Sequence, residues 1–180
     1  MVKNEKIQLA DLDSLRIIHY PDPRLMEVCT PVDEVDDSVR DLAERMLELM
    51  LDAGGVGLAA PQVGLTVRLF VASPGPEVQD RRVYVNPSII AAEGAQHEEE
   101  GCLSLPGITC HIRRSKVVTI RATNPDGEIF EETGEDLAAR AFQHELDHLD
   151  GRLLIHRMAT VARMANRRRV KELEREFRQA

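Results

Sequence analysis

The segment His144-Glu145-Leu146-Asp147-His148 sets two histidines four residues apart near the end of a predicted helix. Residues i and i+4 lie on one face of a helix, so both imidazoles can bind the same ion. Glu145 follows the first histidine and can reach a water on that ion without binding the metal itself. Two ligands beside a base suit metal-assisted hydrolysis, and the segment therefore predicts a metal-dependent hydrolase. The alternative is a pair of histidines that only pack or face solvent.

Two histidines leave a protein-bound metal short of ligands, so the sequence must supply a third. The extended metalloprotease pattern would place a histidine at position 154, where this chain has Leu154. Glu172 and Glu174 are alternatives on a later, charged segment. Cys102 is the better candidate, since glycine and proline bracket its loop and allow tight backbone geometry beside the sulfur. A thiolate would cancel one unit of metal charge, which makes a nearby base such as Glu145 more important.

The elements predicted around these residues favour an α+β fold. Their order along the chain is helix, strands, helix, helix, which indicates mainly antiparallel pairing rather than a βαβ alternation. The length of 180 residues suits one domain, and no repeat or linker divides it, so we expect a single domain over 1–180. In that domain, short antiparallel sheets would pack around a central metal-binding helix, with an N-terminal helix and a C-terminal helix beside them.

Periodicity and turn signals give the boundaries of these elements. In the first helix, apolar residues follow the 3.6-residue period, Asp36 or Asp37 caps the start, and Gly54-Gly55 marks the end. The helices are expected at 38–53, about 135–149 and about 157–178, the strands at Val67–Ala72, Val83–Val85, Ser88–Ala91, Val117–Ala122 and near Ile129, and an extended or looped segment at the proline-rich residues 16–35.

Charge and composition exclude several classes of function. The formal net charge of −8 argues against a nucleic-acid binder, which needs a basic face to replace phosphate counterions. No apolar run approaches the roughly 18 residues of a membrane span, and the first residues lack the apolar stretch of a signal peptide. Three cysteines do not suggest a disulfide framework, so we expect a cytoplasmic protein. Cys29 and Cys110 are predicted to pack in the core, and Glu98-Glu99-Glu100 to form a solvated loop edge.

A small, apolar run follows the first helix: Gly54-Gly55-Val56-Gly57-Leu58-Ala59-Ala60-Pro61-Gln62. It lacks a Lys-Ser/Thr pair, which excludes a phosphate-binding P-loop. Small side chains let a backbone approach a ligand closely, and Gln62 offers an amide donor at the end of the run. The alternative is a helix end followed by a buried turn.

Three segments together resemble the motifs of the peptide deformylase family. They are Gly55-Val56-Gly57-Leu58-Ala59-Ala60-Pro61-Gln62, Glu100-Gly101-Cys102-Leu103-Ser104 and Gln143-His144-Glu145-Leu146-Asp147-His148. They follow one another in the family's order, and the resemblance covers about residues 16–157. A joint match of three motifs is far more specific than the histidine pair alone.

The resemblance implies an enzyme that removes the formyl group from N-formylmethionine at the start of newly synthesised polypeptides. It implies that Cys102, His144 and His148 bind one divalent ion, with a metal-bound water as the nucleophile. Fe²⁺ is the expected ion, and Zn²⁺, Ni²⁺ or Co²⁺ suit the same ligands. Glu145 would act as general base and then as general acid toward the leaving amine.

The same resemblance assigns the remaining site residues. The side chain of Gln62 and the backbone N–H of Leu103 would stabilise the oxyanion. The residues expected to bind the formylated nascent peptide are Val56, Gly57, Gly101 and Arg114.

The basic C-terminal segment has two interpretations. In bacterial members of the family a basic C-terminal helix can dock on the ribosome, and Arg167, Arg168 and Arg169 make a transient ribosome contact a hypothesis here. A solvated helical face accounts for the same residues equally well. No membrane partner and no sequence-specific nucleic-acid partner is expected.

Two other functions are open from the sequence. A metallopeptidase that cleaves internal peptide bonds would act on unformylated peptides and would use a third ligand other than Cys102. A non-enzymatic protein with a structural metal would usually need four protein ligands, and only three are evident.

Overall fold

The computed structural model describes residues 4–8, 10–73 and 81–179. The helices are α1 Glu5–Gln8, α2 Asp37–Asp52, α3 Asp136–Leu149, α4 Leu154–Arg157 and α5 Thr160–Gln179. The strands are β1 Gly57–Ala59, β2 Leu69–Ala72, β3 Arg82–Glu93, β4 Gln96–Gly101, β5 Thr109–Arg114, β6 Val117–Thr123 and β7 Ile129–Glu135. Short 3₁₀ turns lie at Leu12–Ser14, Pro23–Met26 and Ala60–Val63.

The strands form one larger sheet and one two-stranded ribbon. The sheet has the order β1-β2-β3-β6-β7, and β4 pairs with β5 in the ribbon. Every pair of neighbouring strands in both is antiparallel. Helix α3 packs across the sheet against β1, β2, β6 and β7, and it also contacts β5 of the ribbon. The predicted α+β class, with antiparallel sheets around the central helix, is confirmed.

Helix α2 agrees with its prediction to within a residue at each end. Asp36 caps it, because its carboxylate accepts a hydrogen bond from the backbone N–H of Val39 at 3.1 Å. Leu42 and Met46 are fully buried on its inner face, which stabilises the fold by about 1.5–3 kcal/mol for each side chain. The helix ends before Gly54, whose φ of 67° lies in the left-handed region that favours glycine.

Helix α3 is held by an aromatic cluster on the sheet. The ring of Phe142 on α3 lies 5.4 Å from that of Tyr84, which stacks on Phe70 at 4.5 Å. A Cβ at Gly134 would lie 2.6 Å from the Phe142 ring, so the helix approaches β7 this closely only because that residue is glycine. This packing fixes the rotation of α3 and thereby the direction in which the polar residues of its other face project.

Strand β3 differs from the prediction of two separate strands. One strand of 12 residues runs through Asn86 and Pro87, with register shifts between Val85 and Ser88 and between Ile89 and Ala91. Pro87 has no backbone N–H to donate, and Asn86 has a φ of 51°, so the ladder bulges here instead of ending.

The ribbon β4–β5 was not predicted. Glutamate is a poor strand former, and the Glu98-Glu99-Glu100 segment was expected at a solvated loop edge. The segment lies within β4 and not in a loop; Glu98 and Glu99 are exposed to solvent as expected, but Glu100 is buried. Strand β5 turns alternate residues inward, among them Cys110 and Ile112.

The remaining segments follow their predictions closely. Residues 16–35 are mostly extended or looped, with a 3₁₀ turn at Pro23–Met26. The C-terminal helix begins at Thr160 rather than near 157, because Met158 is buried between α4 and α5 with a non-helical ψ of 133°. Cys29 and Cys110 are free thiols buried in the core, as expected. In the described ranges, no helix is both long and apolar enough to span a membrane.

Candidate active site

Three side chains expected to bind metal converge between the end of β4 and helix α3. The ligand atoms of Cys102, His144 and His148 all lie within 4.8 Å of one another. The sulfur of Cys102 is 3.3 Å from Nε2 of His148, and the two imidazole rings are 5.1 Å apart. Cys102 directly follows β4, and both histidines lie on α3. Among the His, Cys, Asp and Glu residues at 4–8, 10–73 and 81–179, these are the only three whose ligand atoms lie close enough together to share an ion.

The protonation chemistry of this triad suits a divalent ion. Burial lowers the pKa of His148 well below its usual range, and the charges of His144 and Arg114 lower it further, so its imidazole is neutral and able to bind metal. Burial alone would also lower the pKa of His144, but hydrogen bonds with Cys102 and Glu100 raise it well above its usual range. The surroundings of His144 thus favour a positive charge, which a metal ion would supply. The donor set of one thiolate and two imidazoles fits such an ion.

Glu145 is a buried carboxyl group beside the triad. Its side chain is on the wall of the cavity, the residue is only 3% exposed, and its Oε2 has no hydrogen-bond partner among the described residues. Burial raises its pKa to about 7, although the charges of His144 and Arg114 oppose this. A Cβ at Gly57 would lie 2.9 Å from Cδ of Glu145, so the glycine makes room for the carboxyl group. Such a group is suited to exchange a proton near neutral pH.

Gln62 holds its amide donor toward the same point. Its Oε1 accepts the backbone N–H of Ala59 at 2.8 Å, which fixes the orientation of the amide. Its Nε2 then lies 3.2 Å from Oγ of Ser104 and 3.7 Å from the sulfur of Cys102. The side chain is buried and lines the cavity, so an N–H donor is held in place beside the triad.

A buried charge network, formed by Glu100, Arg114 and Asp147, supports the metal helix. Arg114 donates from Nε and Nη2 to the two oxygens of Glu100, each at 3.0 Å, and from Nη1 to Asp147 at 2.6 Å. Arg157 of α4 also pairs with Asp147. Nδ1 of His144 lies 3.1 Å from Glu100, and since a carboxylate only accepts, this nitrogen is the donor and Nε2 is left for the metal.

This network also holds Glu100 ionised. Burial would raise the pKa of Glu100, but hydrogen bonds from His144 and Arg114 lower it to about 2. The supporting roles of Glu100 and Asp147 were not predicted from the sequence. Their only signal was position, since each lies within two residues of an expected metal ligand.

Arg114 does not occupy the place expected of a substrate-binding residue. Its side chain is only 4% exposed, does not line the cavity, and directs its donors to Glu100 and Asp147. The guanidinium of Arg114 is fully engaged by its partners behind the triad. In this position the side chain supports the metal-binding residues and does not face the cavity.

The cavity in front of the triad has a volume of about 410 Å³. It brings together Cys102, His144 and Glu145 with other predicted site residues, whereas His148 lies behind it and is buried. The other predicted residues on its lining are Val56, Gly57, Gln62, Gly101 and Leu103.

Known proteins are similar to this chain in sequence and in fold. The sequence model of the polypeptide deformylase family matches residues 14–164. The peptide deformylase of Acidobacterium capsulatum is 48% identical over 161 residues, which are 88% of this chain and 95% of that protein. The crystal structure of Plasmodium falciparum peptide deformylase matches with a TM-score of 0.87 and 32% identity, covering 92% of this chain and 98% of that one.

A plant structure agrees with these matches. Arabidopsis thaliana peptide deformylase 1B, solved with an inhibitor, has a TM-score of 0.87 and 37% identity and covers 92% of this chain and 93% of its own. The family expected from the three motifs is confirmed, and so is an enzyme of that class. The chain belongs to the polypeptide deformylase family.

Proposed function

We propose that this enzyme removes the formyl group from N-formylmethionine at the start of newly synthesised polypeptides, in the cytoplasm. The observation that carries the proposal is the meeting of three functions at one cavity: a set of metal ligands, a buried carboxyl group and a fixed amide donor. Hydrolysis of a formamide needs each of them, since it passes through a tetrahedral oxyanion and expels an amine.

Cys102, His144 and His148 would hold one divalent ion, which when bound supplies a Lewis acid that polarises the formyl carbonyl and acidifies water. We propose Fe²⁺ for this position, with Zn²⁺, Ni²⁺ or Co²⁺ as substitutes, because a thiolate with two imidazoles suits all four. The Glu100 carboxylate keeps the His144 ring oriented for this role through its Nδ1.

Glu145 would move the proton. A pKa of about 7 allows the carboxylate to take a proton from the attacking water and the resulting acid to give it to the leaving amine. Its unpartnered Oε2 is available to that water, because no described protein group occupies it.

Gln62 and the backbone N–H of Leu103 would stabilise the oxyanion. The amide of Gln62 cannot rotate away without losing the hydrogen bond from Ala59, so its donor is oriented before the substrate arrives. Donors fixed in advance stabilise developing charge without reorganising during the reaction.

The substrate would bind along the start of strand β1. This strand is at one edge of the five-stranded sheet, and Val56, Gly57 and Gly101 all line the cavity beside it. An extended peptide can add to such an edge through backbone hydrogen bonds, which bind the peptide main chain without selecting its side chains.

The arginines of α5 would make a transient contact with the ribosome. Of the three arginines predicted for this contact, Arg167 and Arg168 are exposed, whereas Arg169 is partly buried and bonds to the carbonyl of Pro106. A solvated helical face is the alternative. Charge reversal of Arg167 and Arg168 should reduce co-sedimentation with ribosomes at low salt, and unchanged co-sedimentation would exclude the contact.

The proposed activity is tested with formyl-Met-Ala-Ser and enzyme loaded anaerobically with Fe²⁺. We expect one formate for each peptide consumed and Met-Ala-Ser as the only peptide product. Unformylated Met-Ala-Ser-Leu-Ala should stay intact under the same conditions. Internal cleavage without formate release would instead establish the metallopeptidase alternative.

A further inference from the structure

One wall of the cavity is built by the segment that follows Cys102. Leu105, Gly107, Ile108 and Thr109 line the cavity, and we call residues 105–109 the 105–109 wall. Residues 105–108 lie in the loop between β4 and β5, and Thr109 begins β5, so the segment has only a few backbone hydrogen bonds of its own. One joins the N–H of Ile108 to the carbonyl of Leu105 at 3.1 Å.

The back of this wall is tied to helix α5. Nε of Arg169 donates to the carbonyl of Pro106 at 2.9 Å, and Nδ2 of Asn166 donates to the carbonyl of Thr109 at 3.1 Å. The stem of Arg169 also covers Gly107, where a Cβ would lie 3.6 Å from the arginine Cδ. The hydrogen bonds from Asn166 and Arg169 therefore hold the wall near both of its ends. The two donors lie less than one turn apart on α5.

Apolar packing joins the same two elements. Leu173 of α5 is buried in one cluster with Leu105 and Ile108 of the wall. Leu105 and Ile108 thus lie between the helix and the cavity. A shift of α5 would therefore be transmitted to the surface that meets the substrate, since close-packed side chains transmit displacement.

The two hydrogen bonds from α5 to the wall do not involve the metal ligands. The other partners of Arg169 are Glu172 and Glu176 on α5 itself. Cys102 lies four residues before Pro106, and both histidines are on α3. Loss of the ties should thus change the shape of the cavity and not the geometry of the triad.

We propose that Arg169 and Asn166 are positioning residues that hold the 105–109 wall in its substrate-accepting shape. Through them the C-terminal helix sets the affinity for the peptide without contacting the reacting atoms. The proposal rests on the proposed function, because the peptide in question is the formylated substrate.

The kinetic test uses Arg169→Met, which keeps the stem and removes the donor, together with Asn166→Ala. For the double variant we expect KM for formyl-Met-Ala-Ser to rise about three- to tenfold, as for the loss of one or two hydrogen bonds, with kcat and metal content at the parental values. Arg169→Lys should recover part of the loss. Arg168→Met is the matched control, since that neighbouring arginine faces solvent, and its KM should equal that of the parent.

A second measurement reports on the wall without turnover. The amide of Ile108 should exchange its hydrogen faster in the double variant than in the parent, while amides of α3 keep their rates. Parental exchange at Ile108, or a parental KM in an active enzyme, would overturn the proposal. If the parent itself releases no formate, the proposed function fails, and the exchange rate alone then decides whether α5 holds the wall.

Discussion

Two regions of this molecule are rich in charge, and they use it in opposite ways. In the buried charge network, the side chains of Glu100, Arg114 and Asp147 are 6%, 4% and 9% exposed, and each carries at least two charged or hydrogen-bonded partners. On α5, the pair of Arg168 and Glu172 has an arginine side chain that is 90% exposed. Both regions contain many charged residues in the sequence, but only the first lies next to the metal ligands.

The difference shows that the environment of a charge decides its role. A buried charge has lost its hydration, so its partners become indispensable and removing one leaves another uncompensated. An exposed pair regains water when it is broken, and its loss costs little. The buried network can therefore orient His144 rigidly, whereas single pairs on α5 contribute little to stability.

Arg114→Met should have the largest effect on this comparison. The change leaves Glu100 and part of Asp147 without their main partner, and we expect the free energy of unfolding to fall by about 3–5 kcal/mol. Urea denaturation of the metal-free proteins measures it. A loss below that of an ordinary surface substitution would mean that the network is dispensable for the fold.

Glu100→Gln should have an intermediate effect on stability and a specific one on metal binding. It removes the carboxylate that orients His144, so we expect metal affinity to fall about 10–100-fold. Glu99→Gln is the matched control, because Glu99 precedes Glu100 and its carboxylate is exposed and bonds only to Thr109 in the described structure. Equal metal dissociation constants for the two variants, measured by competition with a chelator, would refute the orienting role.

Arg168→Met should have the smallest effect. Its ion pair with Glu172 is exposed, so the expected change in the free energy of unfolding is within about 0.5 kcal/mol. The same urea titration measures it. A cost comparable to that of Arg114→Met would remove the distinction between the two regions.

The parts that the sequence predicted are those governed by local periodicity and by the motifs. The spacing of His144 and His148 and the cap at Asp36 are local signals, and α2 and α3 lie where they were expected. Placing Cys102 near the histidines needed the third-ligand argument, because it lies more than 40 residues before them. The antiparallel class followed from the order of elements.

The parts that it did not predict depend on partners distant in the chain. Strand β4 forms from a glutamate-rich segment only because β5 pairs with it. Arg114 is buried because it meets Glu100 14 residues away and Asp147 33 residues away. Its own neighbours give no sign of this, which is why a long cation beside the motifs was assigned to the substrate.

The most direct test of the account compares Glu145→Gln with Glu99→Gln, since both positions line the cavity and only Glu145 is buried beside the triad. Formate release from formyl-Met-Ala-Ser is measured with both proteins loaded with Fe²⁺, and metal content is determined for each sample. We predict that Glu145→Gln retains its metal and loses about 10²–10⁴-fold in kcat, as for removal of a general base, while Glu99→Gln keeps the parental kcat. A parental rate for Glu145→Gln at full metal content would contradict the account.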